Sequence, residues 1–330
     1  MSKEVSSPQE LMDLVNAFRS SRIILSSVEL GIYKALSGAE LPSEAVSANL
    51  GTDSRATDRF MNALAAMGLL RKKEGRFSNT GFSEKFLVRG KPSFMGQLDH
   101  SIHLWGTWST LTEAVFAGRS VAVTEPIGER DEEWLEGFIA AMHARGIPQA
   151  VEVADVLDLT NARRILDVGG GSGAFSFEFL RRNPSAHAVV FDLPSVIPIT
   201  RNYILDSGMK DRISTQSGDY HADEFEGKFD LVYVSAVIHI NSPEENMLLV
   251  QKSADALNRG GQLVIMDQIM KEDRTEPFAG AVFAINMLVG TEHGDTYTEN
   301  EIRSWMEEAG LKEIIRIDTV GGTNLMVGNK

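Results

Sequence analysis

The residues best placed to do chemistry gather around one run of glycines. In Arg164-Ile-Leu-Asp-Val-Gly-Gly-Gly-Ser-Gly-Ala-Phe175, the apolar stretch Ile165 to Val168 leads into four glycines within Gly169 to Gly173. Phe175 to Arg182 follows as an amphipathic helix, with apolar positions at Phe175, Phe179 and Leu180. The pattern is strand, glycine turn, helix. Glycine there allows positive φ and lets a ligand lie against the main chain. The helix N-terminus beyond it offers unpaired N–H groups to a carboxylate or phosphate. A nucleotide-like ligand is the first expectation. Asp192 ends Ala188-Val-Val-Phe-Asp192, 21 residues after Gly171, where a carboxylate can accept from both ribose hydroxyls. In Ser217-Gly-Asp-Tyr220, Asp219 can accept from an adenine amine while Tyr220 covers the ring. His239 stands between the strand Phe229 to Ser235 and the capping box Ser242-Pro-Glu-Glu245, so it falls in a strand-to-helix loop as a candidate general base. A further apolar strand, 262–267, ends in Asp267.

These residues need a scaffold that brings strand ends together. Strand candidates fall at 164–168, 187–192, 212–216, 229–235 and 262–267, separated by helical segments, with two more at 313–318 and 323–328. The alternation is that of a doubly wound, Rossmann-like α/β domain, whose functional groups lie at the carboxyl ends of the strands. The first third of the chain reads differently. Ser7-Pro-Gln-Glu10 starts a helix whose apolar face is Leu11, Leu14, Val15 and Phe18. Ile23 to Leu36 reads as continued helix closed by Gly38, and 41–50 as a short helix ended by Gly51. A helix capped at Asp53 or Ser54 shows Phe60, Leu64 and Met67, and 69–78 folds as a two-stranded wing turning at Glu74-Gly75. Three helices and a wing make a winged-helix pattern. It serves either DNA binding or dimerisation. Asp53 to Arg76 holds six basic against three acidic residues, a local +3 that is weak beside the chain's −14. From Phe82 to Gly146 the chain reads as helical. Trp105, Met142 and His143, with Phe283 and Met287 further on, are either core or the wall of an aromatic substrate pocket between domains. His143 needs a polar partner, because its helix is otherwise apolar.

Composition narrows the function. The 330 residues allow two domains, and 43% hydrophobic with 24% charged content is ordinary for a globular protein. A net charge of −14 disfavours nucleic acid as a partner. The absence of cysteine excludes disulfides, thiolate metal sites and cysteine nucleophiles, and fits a reducing compartment. The start carries no signal-type apolar region, and no apolar run approaches membrane-spanning length, so the expectation is a cytoplasmic protein without a membrane partner.

Gly169-x-Gly171-x-x-Ala174 fits a dinucleotide fingerprint and an S-adenosylmethionine loop alike. The ordered set Asp-Val-Gly-Gly-Gly-Ser-Gly, Phe-Asp-Leu-Pro, Gly-Asp-Tyr, a histidine after the fourth strand and Leu-Asn-Arg-Gly-Gly resembles the class I S-adenosylmethionine-dependent methyltransferases. With the N-terminal module, nearly the whole chain resembles the plant-type and acetylserotonin O-methyltransferase family. The resemblance implies a seven-stranded sheet ending in an antiparallel hairpin, and an all-α, winged-helix-like domain that interlocks two subunits. The implied domains are 1–95 for dimerisation, 96–150 as a helical linker to the substrate pocket, and 151–330 for the cofactor. By position, Asp167, Gly169, Gly171 and Gly173 hold the methionine portion, Asp192 and Leu193 the ribose, and Asp219 with Tyr220 the adenine. Ser235, where the family often has a basic residue, belongs to the same set. His239 falls at the catalytic base. Two departures stand out: Ile240-Asn241 replaces the usual Asp-Trp after the histidine, and of two flanking acids only Asp267 is present, Thr296 standing at the other. Asp267 is the expected orienting partner of His239, ahead of Asp295 and His293.

The expected reaction is O-methylation of a small aromatic or polyketide-like hydroxyl compound by an in-line displacement, with no metal. The alternatives are carbon or nitrogen methylation, an S-adenosylmethionine-fold enzyme that transfers no methyl, and a winged-helix ligand-sensing regulator.

Overall fold

The computed structural model describes residues 4–123, 128, 130–320 and 322–330. It divides into two compact units, 1–105 and 106–330. The expected boundary at 95 therefore moves to 105. The boundary expected at 150 falls inside a continuous helix, Glu132–Val156, which Pro148 does not break.

The first unit opens with α1 (Pro8–Glu29), capped by Ser7, whose hydroxyl accepts from the Glu10 amide at 3.2 Å. The expected run to Leu36 is interrupted: Gly31, at φ 76°, takes the left-handed conformation and starts a separate α2 (Ile32–Ala35). After β1 (Leu41–Pro42) and α3 (Ser43–Leu50) comes α4 (Ser54–Ala66), capped by Asp53. Its buried face is Thr57, Met61 and Leu64; of the expected Phe60, Leu64 and Met67, Leu64 is fully buried and the other two partly so. The wing is β2 (Leu70–Lys73) and β3 (Arg76–Asn79), and Glu74 and Gly75 both have positive φ at its turn. β1 joins it as a third strand, so this domain is not all-α. Helices α5 (Gly81–Phe86) and α6 (Gln97–Trp108) follow. Val28, Tyr33, Met61, Leu64 and Phe77 form the core. The α1 face Leu11, Leu14, Val15 and Phe18 takes no part in it, each residue being about half exposed or more.

The second unit begins with α7 (Leu111–Ala117) and α8 (Glu132–Val156), then alternates β4 (Arg164–Val168), α9 (Ala174–Arg182), β5 (His187–Asp192), α10 (Ile197–Ser207), β6 (Ile213–Ser217), β7 (Phe229–Ser235), α11 (Pro243–Ala256), β8 (Leu257–Asp267), α12 (Phe278–Gly290), α13 (Glu299–Glu308), β9 (Lys312–Ile317) and β10 (Asn324–Asn329). Strand order is β6-β5-β4-β7-β8-β10-β9, with β10 antiparallel to both neighbours and the rest parallel. The chain leaves β4 in both directions, which makes the β4 carboxyl end the switch point where such sheets hold ligands. Gly260-Gly261 is not the turn expected before a strand. It is an irregularity within β8, where pairing with β7 jumps from Phe229↔Leu257 to Leu231↔Gln262. Gly260 has φ 78°, and a Cβ on Gly261 would lie 3.0 Å from the Asn258 carbonyl oxygen. Among the described residues no helix is long and apolar enough to cross a membrane.

Candidate active site

The glycine turn leaves β4 at the switch point. Gly169, Gly171 and Gly173 have φ of 64°, 55° and 79°. A Cβ on Gly169 would lie 2.7 Å from Val237 Cγ2, and one on Gly170 would lie 2.7 Å from Asp167 Cγ. The turn is therefore kept bare by its neighbours as well as by its backbone angles. Asp192, at the end of β5, fastens it. One carboxylate oxygen accepts from the Gly171 amide at 2.7 Å, and the other from the Leu193 amide at 2.8 Å. Thr200 donates to the Gly171 carbonyl at 2.6 Å, and Ser172 Oγ pairs with His143 Nδ1 at 2.8 Å. Ser172 is thus the polar partner that the apolar face of α8 required for His143. The His143 ring also lies 4.4 Å from Tyr203, and burial pulls its pKa down.

Asp167 lies beneath the turn, only 1% exposed, and accepts from Ser176 Oγ at 2.7 Å. Its other oxygen is buried without a partner among the described residues. Burial pushes its pKa up to about 7, and that of Asp192 up to about 6. The sign follows from linkage. Asp167 binds a proton more tightly folded than unfolded, so stability falls as pH rises from about 4 through about 7 and then levels off. Asp167→Asn keeps an acceptor for Ser176 and removes the charge. Thermal melts of this variant are expected to lose part of that slope and to match or exceed the wild type at pH 8; an unchanged pH dependence would count against the assignment.

Around the other strand ends, Asp219 accepts from the His221 amide at 2.9 Å. Tyr220 is half-buried, and its hydroxyl donates to Asn241 Oδ1 at 3.0 Å. Ser235 closes β7 beside Met266. The chain then turns at Ala236, whose φ of 55° is rare for a residue with a Cβ. A single 3₁₀ turn, Ile238–Ile240, carries His239. Its Nδ1 lies 2.9 Å from both oxygens of Asp267, at the end of β8. The carboxylate only accepts, so Nδ1 carries the proton and Nε2 the lone pair. The Phe283 ring meets the imidazole edge-on at 4.8 Å. A Cβ on Gly294 would collide with the His239 carbonyl oxygen, which seats this turn closely against the 291–297 segment. Asp295 faces Arg274 at 3.2 Å and His293 faces Glu292 at 3.8 Å.

Most of the expected site residues fall into two groups. Gly169, Gly171, Gly173, Asp192 and Leu193, with Asp167 below them, make one hydrogen-bonded turn. His239, Asp267 and Phe283 make another cluster, and Tyr220 reaches its flank through Asn241. Met287 is buried one turn along α12 from Phe283, and Met142 is half-buried on α8. Trp105 belongs to the first unit, where Arg22 covers its ring at 5.4 Å. Sequence reasoning misses Ser172, Ser176, Thr200, Asn246 and Gly294, and registers Asn241 only as a departure. Small polar residues carry no pattern of their own, and only contact reveals them.

Residues 108–312 match the O-methyltransferase domain model, and 12–89 match the O-methyltransferase dimerisation domain model. The 3-hydroxy-5-methyl-1-naphthoate 3-O-methyltransferase of Streptomyces sahachiroi is 30% identical, over 98% of this chain and 95% of its own. The tetracenomycin polyketide synthesis 8-O-methyl transferase TcmO of Streptomyces glaucescens is 28% identical, over 99% and 98%. A solved structure of PigF with SAH superposes at a TM-score of 0.91 with 21% identity, covering 98% of this chain and 100% of that one. The chain belongs to the O-methyltransferase family. It is an S-adenosylmethionine-dependent enzyme, and the site fits that methyl donor: a bare glycine cradle at the switch point, with a carboxylate at the next strand end.

Proposed function

We propose that this enzyme methylates a phenolic hydroxyl of a small aromatic or polyketide-like acceptor, with His239 as general base and Asp267 orienting it. The observation that carries the reading is the Asp267–His239 pair, which leaves Nε2 as the free acceptor. Asp192 and Leu193 would hold the ribose of the cofactor, Asp219 and Tyr220 the adenine, and Gly169 to Gly173 the methionine portion. Bound S-adenosylmethionine supplies a methyl group activated by its sulfonium. The protein's task is to hold the acceptor oxygen in line and to take its proton. Phenols with pKa about 10 stay protonated at neutral pH, so a positioned acceptor lowers the barrier as the oxygen attacks. The imidazolium formed is met by the Asp267 carboxylate, in the manner of a triad. Phe283 and Met287 would give the acceptor an apolar wall beside the base, with Met142 and His143 as further wall residues.

The naphthoate and tetracenomycin enzymes support an acceptor of fused aromatic rings. Incubation with S-adenosylmethionine and hydroxynaphthoic acids or polycyclic phenols should yield S-adenosylhomocysteine and an O-methyl ether in equal amounts. A methyl group on carbon or nitrogen, or no transfer across the series, would overturn the reading.

The dimerisation-domain match supports a second copy of this chain as partner. The exposed stripe Leu11, Leu14, Val15 and Phe18 on α1 is the surface we assign to it, since a contiguous apolar stripe of this kind marks an interaction face. Leu14→Asp with Phe18→Asp is expected to convert a dimer to a monomer in light scattering. A double variant that remains dimeric would place the interface elsewhere.

A further inference from the structure

The 3₁₀ turn that carries His239 is fastened at both ends by one buried polar cluster, and its centre is Asn241. Asn241 is 2% exposed, and Asn246, on the first turns of α11, is fully buried. Asn241 Nδ2 donates to Asn246 Oδ1 at 3.1 Å, and Asn246 Nδ2 donates to the Ile238 carbonyl at 2.9 Å. The Tyr297 hydroxyl donates to the Asn241 carbonyl. These bonds grip the residue before His239 and the residue two beyond it. The remaining side-chain acceptor of Asn241, Oδ1, takes the hydroxyl of Tyr220 at 3.0 Å. Tyr220 stands beyond β6, next to Asp219, at the opposite side of the switch point from Asp267. Burial raises the Tyr220 phenol pKa, so it stays a donor. Both ends of the Asn241 amide are engaged, and buried networks of this kind hold one arrangement firmly.

Resting on the reading of His239 as base, we infer that Asn241 is a positioning residue linking Tyr220, at the adenine end of the cofactor site, to His239. Filling that end fixes Tyr220, Tyr220 fixes Asn241, and the turn then holds the imidazole where Asp267 can orient it. The base is set in place by the same ligand that brings the methyl group. Asp267 alone allows rotation about its bond to Nδ1; the grip on Ile238 and Asn241 restrains the backbone on either side.

Tyr220→Phe removes one hydroxyl and leaves the ring, so it tests the link without emptying the core. In protein labelled with ¹⁵N-histidine, titration with S-adenosylhomocysteine should move the His239 ring resonances of the wild type. In Y220F the ligand should still bind, within about threefold of wild-type Kd, while the shift is lost. Single-turnover methylation should fall about tenfold in Y220F, and the same change should have no effect in a His239→Ala background, because a residue acting through His239 has nothing to position once the imidazole is gone. Asn241→Ala should reproduce both losses, and Asn241→Asp, which keeps an acceptor for Tyr220, should restore part of the shift. The inference is overturned if Y220F keeps the wild-type shift, or if its rate loss persists undiminished in the His239→Ala background. If His239→Ala itself turns over at the wild-type rate, the base reading fails and this inference falls with it. If His239→Ala is impaired and Y220F is additive, only this inference fails.

Discussion

His239→Ala lowers kcat by roughly 10²–10⁴-fold and leaves the Kd for S-adenosylhomocysteine near its wild-type value. The asymmetry follows from geometry. His239 accepts no bond from the glycine turn, and its polar contact is to Asp267. Its removal costs proton transfer and spares the cofactor cradle. Asp267→Asn should fall on the same line with a smaller loss. An amide in that place either donates to Nδ1 or accepts from it, so the imidazole populates both tautomers and spends part of its time with Nε2 protonated. An acceptor phenol acidic enough to be ionised at neutral pH should lose much less to His239→Ala than an ordinary one. Turnover of ordinary phenols at the wild-type rate by His239→Ala would remove the histidine from the mechanism.

Asp192→Ala is expected to weaken S-adenosylhomocysteine binding by about 10²–10⁴-fold in calorimetry, from two hydrogen bonds to a charged acceptor at about 1.5–3 kcal/mol each. The substitution also frees the Gly171 and Leu193 amides that the carboxylate now holds. The wild type carries a related signature in its pH dependence. Burial puts the Asp192 pKa at about 6 in the free protein, and ribose hydroxyls donate best to the ionised form. Binding therefore releases a proton when it starts below that value. Affinity should be flat above pH 7 and fall by about tenfold for each unit below pH 6. An affinity that rises on acidification would remove Asp192 from the ribose contact.

Much of the fold and of the candidate site is legible in the amino-acid sequence. The order of five motifs defines the sheet, because each strand is a short apolar run and each ligand-side residue sits at a strand end, where spacing is readable. His239 and Asp267 pair by position. Contact is what spacing does not carry. Nothing in Ile240-Asn241 says that the asparagine closes a cluster with Tyr220, Asn246 and Tyr297, since those residues come from separate segments. Gly260-Gly261 reads as a turn because two glycines commonly are one; only the pairing with β7 makes them an irregularity inside a strand. Gly31 gives no warning of a break, because the apolar period of α1 continues in phase beyond it into Ile32 and Leu36.

The closeness of Gly169 to Val237 bears on how such enzymes can be recombined. The two residues come from distant parts of the chain, yet neither tolerates growth in the other: an added methyl on the glycine meets Val237 Cγ2 at 2.7 Å. A crossover that took the methyl-donor loop from one parent and the His239 turn from another would join surfaces never fitted together. Shuffling for new acceptors should therefore keep 167–173 and 235–241 from one source, together with His143 of α8 and Phe283 of α12, which touch them, and draw its diversity from other half-buried positions of those helices such as Met142.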